Sequence, residues 1–154
     1  MEIREYLPDD CEYIVQLFKD TVRTINSKDY DEKQIDAWLS NSRTPQAWNE
    51  ILSSHHTFVA IINNAIVGFA DIDDTGYLDH LFVSKDYQHQ GIATQLCNKV
   101  ENLGLSTLIT TDASITAKPF FMKRGYQIIQ EQQVLRGGVY LTNFKMNKKL
   151  ESLT

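Results

Sequence analysis

Two features of this sequence bring together residue types that do chemistry. The segment Gln88-His89-Gln90-Gly91-Ile92-Ala93 is a polar turn with one glycine. Before it runs the apolar stretch Tyr77 to Val83, and after it Ile92, Leu96, Val100 and Leu103 recur at helical spacing. A strand that feeds a helix through such a turn leaves backbone N–H groups free at the positive end of the helix dipole. That setting suits an anion, phosphate in particular. No G-K-[ST] run and no G-x-G-x-x-G are present, so neither a P-loop nor a dinucleotide fingerprint is encoded. A plain strand–helix turn is the alternative reading. The second feature is Asp79, a carboxylate inside the apolar stretch. Burial raises the pKa of such a group and makes it a candidate proton acceptor, although an ion pair or a backbone cap would use it equally well.

Strict alternation along this strand places Tyr77, Asp79, Leu81 and Val83 on one face and sends His80 to the other as a structural residue. His55 and His56 stand at a strand entrance and are expected in solvent, while His89, in the turn, meets either a phosphate or water. Cys11 and Cys97 each sit in an amphipathic pattern without metal-ligand spacing, and read as two small buried thiols. No metal site is expected.

The elements that must position these groups follow from periodicity and turn chemistry. Ile3 to Tyr6 reads as a strand, and Pro8-Asp9-Asp10 opens a helix in which Asp9 and Glu12 have capping-box spacing. Helices are expected from Glu32 to Leu39 and from Gln46 to Leu52, with a loop over Asn41-Ser42-Arg43-Thr44-Pro45. Thr57 to Ile62 and Ala65 to Asp73 form a hairpin at Asn63-Asn64, since Asn tolerates positive φ, and Asp74-Thr75-Gly76 turns into Tyr77 to Val83. The helix after Gly91 runs to Leu103, where Gly104 stops it. A strand from Leu108 to Ala113 precedes a helix over Ile115 to Arg124 that holds Pro119 in its first turn. Strands Gln127 to Leu135 and Val139 to Lys148 join across Arg136-Gly137-Gly138. An antiparallel meander, one strand–helix–strand crossover and a hairpin make an α/β (α+β) fold: a mixed, mainly antiparallel sheet with helices on both faces, in three layers.

The 154 residues fit one domain, 1–154. A hydrophobic fraction of 42% with 23% charged residues is that of a soluble globular chain. The net charge of -5 argues against a protein that coats nucleic acid, leaving only a small basic group at Lys118, Lys123 and Arg124. The charged start Met1-Glu2-Ile3-Arg4 has no apolar signal core, and no apolar run approaches membrane-spanning length, so a cytoplasmic location without membrane contact is expected.

Gln88-x-x-Gly91-x-Ala93 resembles the Q/R-x-x-G-x-G/A motif of the GNAT N-acetyltransferase superfamily, in the same strand–helix context. Ala117-Lys118-Pro119-Phe120-Phe121-Met122-Lys123-Arg124-Gly125-Tyr126 is similar to its second signature, A-x-x-F-Y-x-K-x-G-F. The T-x-A-S-I-T-A-x-P-F-F and L-T-N-F-x-M patterns resemble the YafP-like branch. The resemblance implies an acetyl-CoA-dependent N-acetyltransferase acting by direct attack of an amine in a ternary complex, as a monomer or homodimer. It implies that backbone N–H groups of Gln88, His89, Gln90, Gly91, Ile92, Ala93 and Thr94 hold the pyrophosphate. It further implies that Leu81, Phe82 and Val83 pair with the pantetheine on a splayed strand edge, with an N–H of Leu81 or Phe82 meeting the oxyanion. Asp79 becomes the base. Family members carry a tyrosine at Phe121 whose hydroxyl reaches the CoA sulfur, and this chain lacks it. Ser114, where the family often has Asn, is a candidate for contact with the cofactor or sulfur. Tyr126, Tyr140 and Trp38 are expected in the core. Tyr30, Trp38 and Trp48 lie where the acceptor is expected. An alternative that keeps the fold is a non-catalytic CoA-binding or interaction module.

Overall fold

A computed structural model describes residues 1–40 and 43–151. Seven strands form one sheet: β1 (Glu2–Glu5), β2 (His56–Ile62), β3 (Ala65–Ile72), β4 (Tyr77–Val83), β5 (Leu108–Ser114), β6 (Gln127–Arg136) and β7 (Val139–Lys149). Their order is β1-β2-β3-β4-β5-β7-β6. Every neighbouring pair is antiparallel except β4 and β5, which the α4 crossover (Ile92–Glu101) makes parallel. The β2–β3 hairpin turns through Asn63 and Asn64 at φ 50° and 63°, the primed-turn geometry that follows the strand twist.

Two cores form because strand residues alternate between faces. On one face, α4 and α5 (Lys118–Lys123) bring Ile92, Leu96, Val100 and Phe121 onto Phe58, Ala60, Ala70 and Ile109. On the other, α1 (Cys11–Thr24), α2 (Glu32–Ser40) and α3 (Pro45–Ser54) bring Ile14, Phe18, Ile35 and Trp48 onto Val59 and Phe69. This is the three-layer mixed sheet that the sequence predicts. Cys11 and Cys97 are buried free thiols, and burial pushes Cys97 up to about 12. No described helix is long and apolar enough to cross a membrane.

Several local expectations need correction. Asp9 does not cap α1: Pro8–Asp10 is a 3₁₀ turn, and the Asp10 carboxylate accepts the Leu7 N–H at 2.8 Å while Arg4 grips it. Helix α4 stops at Glu101 with Asn102 as its cap, before Leu103 and Gly104. Helix α5 begins only at Lys118, because Ser114 Oγ takes the Ala117 N–H and holds the intervening residues in a turn. Of the expected loop 41–45, Asn41 and Ser42 lie outside the described residues, and Pro45 is already in α3, which Thr44 Oγ1 caps by accepting the Ala47 N–H. Tyr126 is a core residue as expected, but Tyr140 is 61% exposed near the β6–β7 turn, and Trp38 is only half-buried. Alternation tells which face a strand residue takes, not whether a helix covers that face.

Candidate active site

The site begins at a fork in the sheet. Strands β4 and β5 pair only at Tyr77–Thr110 and Leu78–Thr111. Thr111 Oγ1 closes the vertex by donating to the Leu78 carbonyl at 2.8 Å. From Asp79 onward the β5-facing edge of β4 has no strand partner among the described residues, so Leu81, Phe82 and Val83 border an open cleft of 1430 Å³. Free backbone groups on such an edge can pair with an extended, amide-bearing ligand.

At its far end β4 runs into the glycine turn. Gln88 does not reach out: its Nε2 donates to the carbonyls of Val83 at 2.8 Å and Ser84 at 3.2 Å, tying the turn back to the strand. His89 and Gly91 have φ of 61° and 80°, and Gly91 is the N-cap of α4 without any side-chain capping bond. The N–H groups of Ile92, Ala93 and Thr94 therefore lack intrahelical partners, and Gln88 to Thr94 all line the cleft. Left-handed residues before an uncapped helix gather amides into a concavity suited to phosphate oxygens. His89 and Gln90 are exposed. Gly68 makes this placement possible. A Cβ there would stand 3.1 Å from both Ile92 Cγ2 and the Phe82 carbonyl and 3.2 Å from Leu96 Cδ1, so its absence lets α4 lie close on β3. Of the small basic group, Lys123 lines the cleft, Lys118 lies over the Phe144 ring, and Arg124 is held by Glu101.

The β4 register breaks the expected alternation at Asp79, while His80 takes the face opposite Leu81 and Val83, as the sequence predicts. Asp71 of β3 pairs with His80 and Ile72 with Leu78, so Asp79 is an extra residue in a β-bulge. The bulge switches parity: Leu78 and Leu81 pack into the same core, whereas His80 turns to the opposite one, against Phe18 and Trp48. Asp79 and His80 are thereby brought together, with Asp79 Oδ2 at 3.6 Å from His80 Nδ1, and both line the cleft.

Behind them is Asp71, fully buried, with Oδ1 at 2.8 Å from His80 Nδ1 and Oδ2 at 2.8 Å from His55 Nδ1. Burial alone would raise the Asp71 carboxyl, but the charge and hydrogen bonds of the two imidazoles outweigh it and hold it below its ordinary value. The same hydrogen bond to Asp71 raises His55 above its ordinary value, against a smaller opposing effect of burial. His55 is thus not the solvated residue the sequence suggests; His56 is, pairing at the surface with Asp74. His55, Asp71 and Asp79 offer ligand atoms within 4.8 Å of one another, and the 2.8 Å bonds make this a hydrogen-bonded set in which both Asp71 oxygens are used.

Ser114 lines the cleft, but its Oγ already accepts the Ala117 N–H at 3.0 Å and lies 3.4 Å from Asn26 Nδ2, leaving its own O–H to donate. Phe121 is 3% exposed, edge-on to Phe120 and Tyr126, and forms part of the cleft wall. Tyr126 cannot supply the missing hydroxyl, because its own donates to the buried Glu101 at 2.8 Å. In the acceptor region Tyr30 and Trp48 are buried, and Trp38 lines the cleft with them. The residues that sequence reasoning missed are Asp71, His55, Arg43 and Gly68. A buried Asp in an otherwise apolar strand was the one available signal, and its partners are 9 and 16 positions away.

The sequence matches the Acetyltransferase (GNAT) domain family over residues 26–148. The chain belongs to the GNAT family. It is 37% identical over 151 residues to the "uncharacterized N-acetyltransferase YafP" of Escherichia coli K12, covering 97% of this chain and 96% of that one, which places it in the YafP-like branch. A GCN5-related N-acetyltransferase structure from Rhodopseudomonas palustris superposes with a TM-score of 0.92 at 32% identity, over 97% of this chain and 95% of that one. The PaiA N-acetyltransferase of Thermoplasma acidophilum, solved with coenzyme A, shares the fold with a TM-score of 0.75 at 16% identity, over 96% and 98% of the two chains. With family membership come acyltransferase chemistry and acetyl-CoA as the donor.

Proposed function

We propose that this protein transfers the acetyl group of acetyl-CoA to an amine by direct attack in a ternary complex. The observation that carries this reading is the single cleft in which the β4/β5 fork, the uncapped start of α4 and the Asp79 bulge follow one another. The amides from Gln88 to Thr94 hold the pyrophosphate, and the β4 edge at Leu81, Phe82 and Val83 pairs with the pantetheine. The thioester then lies toward the vertex of the fork, where an N–H of Leu81 or Phe82 meets the developing oxyanion. Asp79, with a 20% exposed side chain, meets the acceptor's ammonium and serves its deprotonation. The Ser114 hydroxyl is the donor nearest in role to the absent tyrosine. A thiol leaves tolerably even unprotonated, its pKa being about 8.5.

The test is thiol release from acetyl-CoA over a panel of amines. Turnover is expected on at least one amine, and Asp79→Asn is expected to lower kcat on the order of 10²-fold while CoA affinity is kept. Micromolar CoA binding without release on any amine would instead support a non-catalytic CoA-binding module, the reading that Phe121 favours.

A further inference from the structure

His80 sits in an aromatic cage at the cleft wall. Its ring is clamped among Trp48, Phe69, Phe18 and Phe82, with centroid distances of 5.0, 6.0, 6.3 and 6.3 Å. Only its two nitrogens meet polar groups. Nδ1 faces Asp71 Oδ1 at 2.8 Å, and Asp71 is fully buried. A buried carboxylate fixes the imidazole proton on the nitrogen facing it and leaves the other nitrogen with a lone pair. Nε2 faces Arg43 Nη1 at 3.3 Å. A guanidinium only donates, so this contact too requires a bare Nε2. Arg43 is an exposed residue resting on the Trp48 ring at 5.1 Å, and both it and His80 line the cleft. The cleft thus has an oriented imidazole lone pair in its wall, covered by one displaceable side chain.

We propose that His80 takes, through Nε2, the proton that the acceptor amine must lose, with Asp71 holding its tautomer. This deepens the acetyltransferase reading and rests on it: Asp79 binds the ammonium, and His80 is the atom-level destination of its proton. The ammonium N–H replaces the Arg43 N–H at Nε2 and passes its proton there. The neutral amine attacks the thioester carbon. As the C–S bond breaks, the second amine proton passes to the thiolate, and the imidazolium returns its proton to water. The charged groups around the ring suit these roles. Asp71 stabilises the imidazolium, and His55 shares Asp71 and keeps it ionised. Asp79 lies at 3.6 Å and adds negative potential, whereas Arg43 opposes the imidazolium until it is displaced. The arrangement is the carboxylate–imidazole pair that acyl-transfer enzymes use on unrelated folds.

The experiment compares His80→Gln and Asp71→Asn with the unaltered enzyme on two acceptors. One is a strongly basic alkylamine, and the other an aniline, already neutral at pH 7. His80→Gln can still donate to Asp71. It is expected to lower kcat on the alkylamine on the order of 10²–10⁴-fold and to change kcat on the aniline less than about tenfold. Asp71→Asn removes the carboxylate charge that holds the proton on Nδ1 and stabilises the imidazolium, and is expected to show the same split. Equal losses on both amines, or no loss on the alkylamine, would overturn the proposal. A readout independent of turnover is the ¹⁵N spectrum of the His80 ring. It is expected to show Nδ1 protonated and Nε2 bare in the neutral ring, and the opposite tautomer refutes the assignment. If the unaltered enzyme releases no thiol on any amine, the acetyltransferase reading itself fails, and the ring spectrum still decides the tautomer.

Discussion

Gly91 separates the stability of the fold from the capacity to hold CoA. It stands at φ 80° as the N-cap of α4, and an added Cβ would meet nothing within 4 Å. In the free protein Gly91→Ala therefore costs only the left-handed backbone, about 1–2 kcal/mol. For a chain of this size that lowers the melting midpoint by about 2–8 °C, at roughly 2–4 °C per kcal/mol. His89 already holds φ 61° with a full side chain in the same turn, so the conformation itself is tolerated. The effect on CoA should be larger. Each amide–phosphate hydrogen bond is worth about 1.5–3 kcal/mol, so displacing one weakens binding on the order of 10–100-fold. Gly91→Glu adds a like charge and is expected to exceed that loss. The assay is a thermal melt with and without CoA, alongside calorimetric titration. At a CoA concentration 100-fold above Kd the unaltered protein gains about 2.7 kcal/mol, or about 5–11 °C. Gly91→Glu should melt near Gly91→Ala without CoA and gain almost nothing with it. A Gly91→Glu protein that gains as much as the unaltered one would refute the phosphate turn.

Three further outcomes follow from named contacts. Gly68→Ala sets a Cβ against the Phe82 carbonyl of β4 and the Ile92 and Leu96 side chains of α4, so a loss of about 1–3 kcal/mol in urea unfolding is expected, with weakened CoA binding if the α4 amides hold phosphate as proposed. Glu101 is buried under Arg124, Tyr126 and Lys148; burial opposes its ionisation, but those partners hold its carboxyl below the ordinary value. Its contribution is present above the unfolded carboxylate pKa and is lost as pH falls through the lower folded value, while Glu101→Gln should cost about 3 kcal/mol at neutral pH by leaving Arg124 without its charge partner. His55 behaves oppositely: raised by Asp71, its contribution is full below its unfolded pKa of 6.5 and is lost as pH rises through the higher folded value. Urea midpoints between pH 6 and pH 9 should show that decline in the unaltered protein and lose it in His55→Gln.

The sequence by itself determined the order of strands and helices, the Asn63-Asn64 hairpin, the glycine turn into α4 at Gly91 and the family resemblance. These are local matters, in which a period of 2 or 3.6, a turn residue or a short motif states the structure within a dozen positions. Helix ends were less legible, because whether α5 starts at Ile115 or Lys118 depends on the Ser114 hydroxyl choosing the Ala117 amide. Only the tertiary structure decided the chemistry around Asp79. One extra residue in β4, visible only against the β3 register, takes Asp79 out of the alternation and sets it beside His80 at the cleft. The buried carboxylate that orients it comes from another strand, and the second imidazole on that carboxylate from the end of α3. Such pairings are made by packing between distant segments. The sequence supplies the residues, but register and burial set which atoms face one another.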